Sequence, residues 1–151
     1  MNTIVGEYHC KLDSKGRFLM PSGLKKELPE DERTEFVINR GYEKYLFLHP
    51  IKTWEEQMVK IKSRNQFVKK NRDFVRIFTN GATRISLDGS ERVLIPKRLM
   101  EFAGLKKELV LVGQLDKVEI WDKETYEAWM DSNEYDLEDL AEEVMGDLAD
   151  E

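Results

Sequence analysis

The chain has 151 residues, 40% of them apolar, enough to bury a core, and its single cysteine, Cys10, excludes an intrachain disulfide. The formal charge of −6 hides an asymmetry: residues 131–151 hold ten Asp or Glu and no Lys or Arg, leaving 24 basic against 20 acidic residues in the body. No positive run followed by an apolar stretch opens the chain, and no 18 apolar residues occur together, so a cytoplasmic protein without membrane contact is expected.

The first predicted element is a strand over Tyr8–Leu12, with Tyr8, Cys10 and Leu12 on one side and Glu7, His9 and Lys11 on the other. This alternation makes Cys10 a core residue. The strand runs into Asp13-Ser14-Lys15-Gly16-Arg17, in which Asp13 can bond the backbone two residues on and Gly16 can take a positive φ. A hairpin results whose tip presents Lys15, with Arg17 at the start of the return strand. Phe18-Leu19-Met20 follow, and Pro21 ends the run.

Ser22–Leu28 is a short helical segment with Leu24 and Leu28 on one face, stopped by Pro29. Strands are predicted at Glu35–Ile38 and Tyr45–Leu48, around a turn at Gly41-Tyr42-Glu43-Lys44. A helix with Thr53 as its N-cap extends through Met58 and Ile61, and a second runs from about Asn65 to Phe78, burying Phe67, Phe74 and Phe78 as a stripe. Its opposite side is basic: residues 60–76 carry seven cations against Asp73 alone.

At this point the chain begins again. Leu87-Asp88-Gly89-Ser90-Glu91-Arg92-Val93-Leu94-Ile95-Pro96 repeats Leu12–Pro21 with an offset of 75 residues, preserving the Asp, the Arg four positions on, three apolar residues and the Pro. Pro96–Gly104 repeats the short helix, and Leu109–Val112 and Val118–Trp121 repeat the two strands at an offset of 72, so one first-copy loop should be three residues longer. A helix capped by Thr125 follows. Asp136–Asp150 places Leu137, Leu140, Ala141, Val144, Met145 and Leu148 at helical spacing among carboxylates, an amphipathic helix or a tail that folds on a partner.

Catalysis has no constellation to rest on. His9 and His49 are isolated, one cysteine cannot complete a metal site with them, and no phosphate loop or nucleophile elbow is present. A non-enzyme without cofactor or metal is expected. The repeated turn is the remaining candidate: its second copy replaces Gly by Glu91 and Lys by Ser90 yet keeps Asp88 and Arg92, and Arg is the side chain that grips guanine or phosphate through one planar fork.

Gly6-Glu7-Tyr8-His9, the two Asp-x-x-x-Arg turns, Pro21, Ala103-Gly104-Leu105 and Leu111-Val112-Gly113 followed by Glu119-Ile120-Trp121 resemble the MraZ family over about residues 4–130. The resemblance implies a bacterial DNA-binding transcriptional regulator from the division and cell-wall gene cluster. Its implied fold is α+β and mainly β, two tandem SpoVT-AbrB-like units forming one pseudo-twofold swapped-hairpin barrel with peripheral helices and an acidic C-terminal helix or tail.

The expected organisation is a first repeat at 4–52, linking helices at 53–79, a second repeat at 80–123 and the C-terminal helix and tail at 124–151. The resemblance further implies a nucleoid-associated homo-oligomer, a ring binding direct repeats in promoter DNA. Carried over by position, Lys15 and Arg17 match the DNA-contacting residues and Arg92 matches a weaker second copy. Ser14, Gly16, Lys11 and Arg84 complete the candidate DNA-binding set, while Asp13, Asp88 and Gly89 shape the turns. Glu91, Lys25 and Met100 depart from the family pattern, and the acidic tail, unexplained by it, is a candidate site for a protein partner. The rival expectation is a ring-forming or antitoxin-like interaction module without specific DNA binding.

Overall fold

A computed structural model describes the backbone of residues 3–149 and side chains to residue 146, so the side chain of Leu148 in the expected stripe lies outside the described residues. The chain order is β1 (Glu7–Lys11), β2 (Arg17–Leu19), α1 (Ser22–Glu27), β3 (Glu35–Arg40), β4 (Leu46–Pro50), α2 (Ile51–Lys62) and α3 (Lys69–Phe78). The second half supplies β5 (Thr83–Ser86), β6 (Arg92–Leu94), α4 (Lys97–Ala103), β7 (Glu108–Gln114), β8 (Lys117–Asp122), α5 (Lys123–Ser132) and α6 (Leu137–Ala149).

The two halves exchange strands. An antiparallel six-stranded sheet runs β1-β7-β8-β4-β3-β5, and a separate antiparallel ribbon pairs β2 with β6. The opening strand of each half thus pairs with the third strand of the other, Tyr8 opposite Leu111 and Ile85 opposite Phe36. Like strands meet at the centre, with β4 beside β8 and β2 beside β6. The large sheet remains open, with β1 and β5 as its edges.

Both faces of the central strands are covered, which explains their near-continuous apolar runs. One face, carrying Phe36, Ile38, Leu46, Leu48, Leu109 and Leu111, packs on Phe18 and Val93 of the ribbon and on Leu24 and Leu99 of the short helices. The other, carrying Val37, Tyr45, Phe47 and Trp121, meets Trp54 of α2 and Phe78 of α3. Cys10 is half-buried against the first cluster, and burial pushes its thiol up to about 12, which keeps it protonated and unreactive.

The inward residues correct the repeat register. Phe36 and Ile38 correspond to Leu109 and Leu111, an offset of 73, while Leu46 and Leu48 correspond to Val118 and Ile120 at 72. The extra length of the first copy is therefore divided: two residues precede β3, where a 3-10 turn occupies Glu30–Glu32, and one enlarges the β3–β4 turn.

The helix starts also differ from expectation. α2 and α5 begin at Ile51 and Lys123 behind Pro50 and Asp122, so Thr53 and Thr125 lie inside the first turn and do not cap it. Proline at the cap presets its own φ and leaves no side-chain oxygen to bond. α3 begins at Lys69, four residues later than expected, and Phe67 precedes it at 94% exposure. Of the three phenylalanines only Phe78 is buried; Phe74 is 43% exposed and stacks on it.

Candidate nucleic-acid interface

The two Asp-x-x-x-Arg turns have nearly the same internal bonding. Asp13 Oδ1 accepts from the backbone N–H groups of Lys15 and Arg17, each at 2.9 Å, and Asp88 Oδ1 accepts from Ser90 at 2.8 Å and Arg92 at 2.9 Å. The second oxygens take the guanidinium Nε atoms, Arg17 to Asp13 at 2.8 Å and Arg92 to Asp88 at 3.2 Å. These backbone donors, Arg17 foremost for Asp13 and Arg92 foremost for Asp88, hold both carboxyls below the usual aspartate range.

Pairing of β2 with β6 sets the turns side by side and links them crosswise. Arg17 Nη1 lies 3.9 Å from Asp88 Oδ2, and Arg92 Nη1 lies 4.0 Å from Asp13 Oδ2. Two aspartates and two arginines therefore form one cluster of zero net charge about the pseudo-twofold. Arg17 stands at the start of β2, as expected, but is held among these carboxylates; its side chain is 24% exposed, against 34% for Arg92. Each Nε is committed to an aspartate, which aims the rest of the guanidinium.

The ribbon register carries these arginines onto an outer face. Arg17 stands opposite Leu94 and Leu19 opposite Arg92, while Phe18 and Val93 point into the core. Leu19 and Leu94 are 59% and 54% exposed, a pair of apolar side chains beside the arginines that sequence reasoning did not single out. The signal was available, because a strand that buries Phe18 must turn its neighbours outward.

Among the described residues Lys15 forms no ion pair and stands exposed at its tip, with Ser14 exposed beside it, whereas Gly16 is buried at φ 80°. A Cβ at Gly16 would lie 3.0 Å from Cε of Met100 on α4. In the second turn Glu91 adopts φ 61° and pairs its carboxylate with Lys25 of α1. Lys25 and Met100 occupy equivalent places, and Glu91 and Lys25 answer each other across the repeat.

The surroundings of the tips differ in charge. Ile95 N–H donates to the Gly16 carbonyl at 2.9 Å, and α4 opens just beyond with exposed Lys97 and Arg98. At the second tip the corresponding bond, Met20 N–H to the Glu91 carbonyl at 2.9 Å, leads into Ser22 and Gly23. Lys97 and Arg98 were missed because only the bond to Gly16 brings them to the first turn. Two candidates stand outside the cluster: Lys11 lies on β1 opposite Glu108, and Arg84 on β5 opposite Val37, at the two sheet edges. Asp13, Asp88 and exposed Gly89 lie in the turns they were expected to shape.

The family profile described as "MraZ protein, putative antitoxin-like" matches the chain twice, over residues 3–77 and 78–148. The chain belongs to the MraZ family. It is similar to the transcriptional regulator MraZ of Flavobacterium psychrophilum, 49% identical over 152 aligned positions that cover 100% of this chain and 97% of the relative. The transcriptional regulator MraZ of Christiangramia forsetii is 45% identical over 147 positions, covering 97% and 95%. Both alignments run along essentially the whole of this chain, and the first covers its acidic end.

Among the described residues no group of three His, Cys, Asp or Glu side chains is placed to hold a metal ion, and no helix is long and apolar enough to cross a membrane. His49 is buried, bonded through Nε2 to Asn39 Oδ1 at 2.7 Å, while His9 is exposed beside Glu7.

Proposed function

We propose that the chain is a sequence-specific DNA-binding transcriptional regulator whose β2–β6 ribbon and paired turns form the contact face. The observation that carries this reading is the crosswise Asp13–Arg17–Asp88–Arg92 cluster, which fixes two guanidinium groups on the outer side of a two-stranded ribbon. A ribbon with strands about 4.8 Å apart fits a major groove roughly 12 Å wide. Arg17 reads a base edge, Lys15, Lys97 and Arg98 engage phosphate, and Leu19 and Leu94 offer apolar contact to thymine methyl groups. Arg92, beside the carboxylate of Glu91, contributes less. Ser14, Gly16 and Lys11 flank the first contact, and Arg84 acts from the sheet edge.

The names of the two regulators support the reading, and the exchanged pairing of β1 with β7 and β5 with β3 supports an AbrB-like swapped-hairpin barrel. One ribbon covers few base pairs, so a ring of subunits on direct repeats upstream of the division and cell-wall gene cluster supplies avidity through effective concentration. The setting is then the nucleoid in the cytoplasm. A rival reading, an antitoxin-like interaction module, is favoured by one observation: α6 exposes Leu137, Val144 and Met145.

Fluorescence anisotropy with DNA from upstream of the gene and with a scrambled duplex, at several salt concentrations, separates the two. Specific binding that survives moderate salt supports the regulator; equal affinities for both duplexes defeat it.

A further inference from the structure

Two surfaces of the molecule lack a partner, and they are complementary. α2 and α3 enclose a groove of about 520 Å³ lined by Gln57, Lys60, Ile61, Arg64, Asn71 and Phe74. Exposed Val59, Phe67 and Ile77 lie on the same helix pair and its connector, an apolar surface of a kind that a folded chain rarely leaves to water. Its rim is basic, because the only acid between residues 60 and 76, Asp73, is already held by Lys69 and Arg76. The second surface is α6, where Leu137, Leu140, Ala141, Val144 and Met145 share a side and carboxylates occupy the rest. Leu137, Val144 and Met145 are exposed, and among the described residues no carboxylate beyond Met130 forms an ion pair.

The two surfaces of one chain lie apart. Met130 and Asp131, near the end of α5, border a depression with Glu7 and His9 of β1, whereas α3 is tied to β3 by the bond from Asn39 Nδ2 to the Phe78 carbonyl at 3.0 Å. From β1 to β3 is four strand spacings, about 19 Å. The connector Asn133–Asp136 and the 13 residues of α6 are together long enough to reach that far, yet among the described residues no α6 residue lines the groove of its own chain.

We infer that α6 of one copy docks in the α2–α3 groove of a second copy, its apolar stripe against Ile61 and Phe74 and its carboxylates against Lys60 and Arg64. This rests on the oligomeric part of the proposed function and names the contact that builds the oligomer. The contact is head-to-tail, since the groove and the helix are different surfaces of the chain. Such a contact propagates from chain to chain and closes into a ring when the rotation per subunit allows.

The test uses two charge-reversed full-length variants without DNA: Glu138→Lys with Glu142→Lys in the tail, and Lys60→Glu with Arg64→Glu in the groove. Mass is read by light scattering after size exclusion, and folding is checked by thermal melting. Each variant alone should fall to monomer, or lose at least tenfold in association constant. An equimolar mixture should recover the parent mass, because each tail then meets a groove of opposite charge. A parent that is monomeric throughout overturns the inference together with the oligomer reading. A parent that assembles while both variants assemble equally well, or a mixture of folded variants that stays monomeric, overturns this contact alone.

Discussion

Gly16 and Glu91 hold the same left-handed backbone at equivalent points of the two turns, at φ 80° and 61°, yet only one of them is the residue that this conformation favours. Left-handed backbone costs a non-glycine residue about 1–2 kcal/mol. An exposed ion pair such as Glu91 with Lys25 returns at most about 1 kcal/mol. Glu91→Gly should therefore change stability by no more than about 1 kcal/mol, because relief of the backbone cost is offset by the lost ion pair and by the extra freedom of glycine in the unfolded state. It also frees the Lys25 cation beside the second tip, so DNA affinity should rise. Thermal unfolding and anisotropy on the same variant check both expectations.

Arg17→Ala should lower operator affinity by roughly five- to 150-fold per engaged site, the range of a bidentate guanine contact. Arg92→Ala should cost under about threefold, because it reads beside a carboxylate and lacks the cations of the first tip. Asp13 keeps the backbone bonds from residues 15 and 17 in the Arg17 variant, so the turn persists and circular dichroism should be unchanged. Equal losses from the two substitutions would mean that both tips touch DNA alike.

Lys15→Ala tests a different term. An exposed lysine on phosphate contributes by releasing about one counterion, so the slope of log affinity against log salt should fall by roughly one per bound subunit, with little change in sequence preference. A changed base preference at constant slope would assign Lys15 to base reading.

Phe78→Ala should cost about 3–5 kcal/mol, because Phe78 is 5% exposed and stacks on Trp54 at 5.8 Å between ring centroids. Phe67→Ser should change stability by no more than about 0.5 kcal/mol. Urea denaturation of the two variants distinguishes these values easily.

Stability should fall on mild acidification through His49. Burial, aided by the Lys117 charge, pushes its imidazole down from 6.5 to about 3, so the unfolded chain binds a proton that the folded chain refuses. The stabilisation is complete above pH 6.5 and is lost as pH falls towards 3, amounting to about 2 kcal/mol between pH 6.5 and 5. Asp13 and Asp88, also depressed, add to the loss only below their ordinary value of 3.8, and Glu119, raised from 4.5 by burial, opposes it. The urea midpoint of the parent should therefore drop between pH 7 and 5, while that of His49→Gln, lower at the outset, should stay level.

What the sequence disclosed was what is local in the chain. The Asp13 turn could be read because its donors lie two and four residues away, and the alternation of β1 because it repeats every second position. Phe67 misled because a periodicity argument needs the helix to have begun: Val68 is the cap of α3, and seven residues from Phe67 to Phe74 are not seven residues of helix. Lys25 and Glu91 are 66 positions apart, and only the pairing of β2 with β6 brings their elements together. The paired arginines belong to the same class, since each turn predicts its own ion pair but neither predicts the crosswise one.

The exchange of opening strands also sets a waiting time during synthesis. Lys11 of β1 pairs with Glu108 and Glu7 with Val112 of β7, so the first strand is fully paired only when 105 residues beyond Glu7 exist. At about 5–20 residues per second that is roughly 5–20 s on the ribosome with a free strand edge. β1 is suited to this delay: it is short, and Glu7, His9 and Lys11 crowd one side with polar groups that discourage the nascent chain from pairing with its neighbours on the same message.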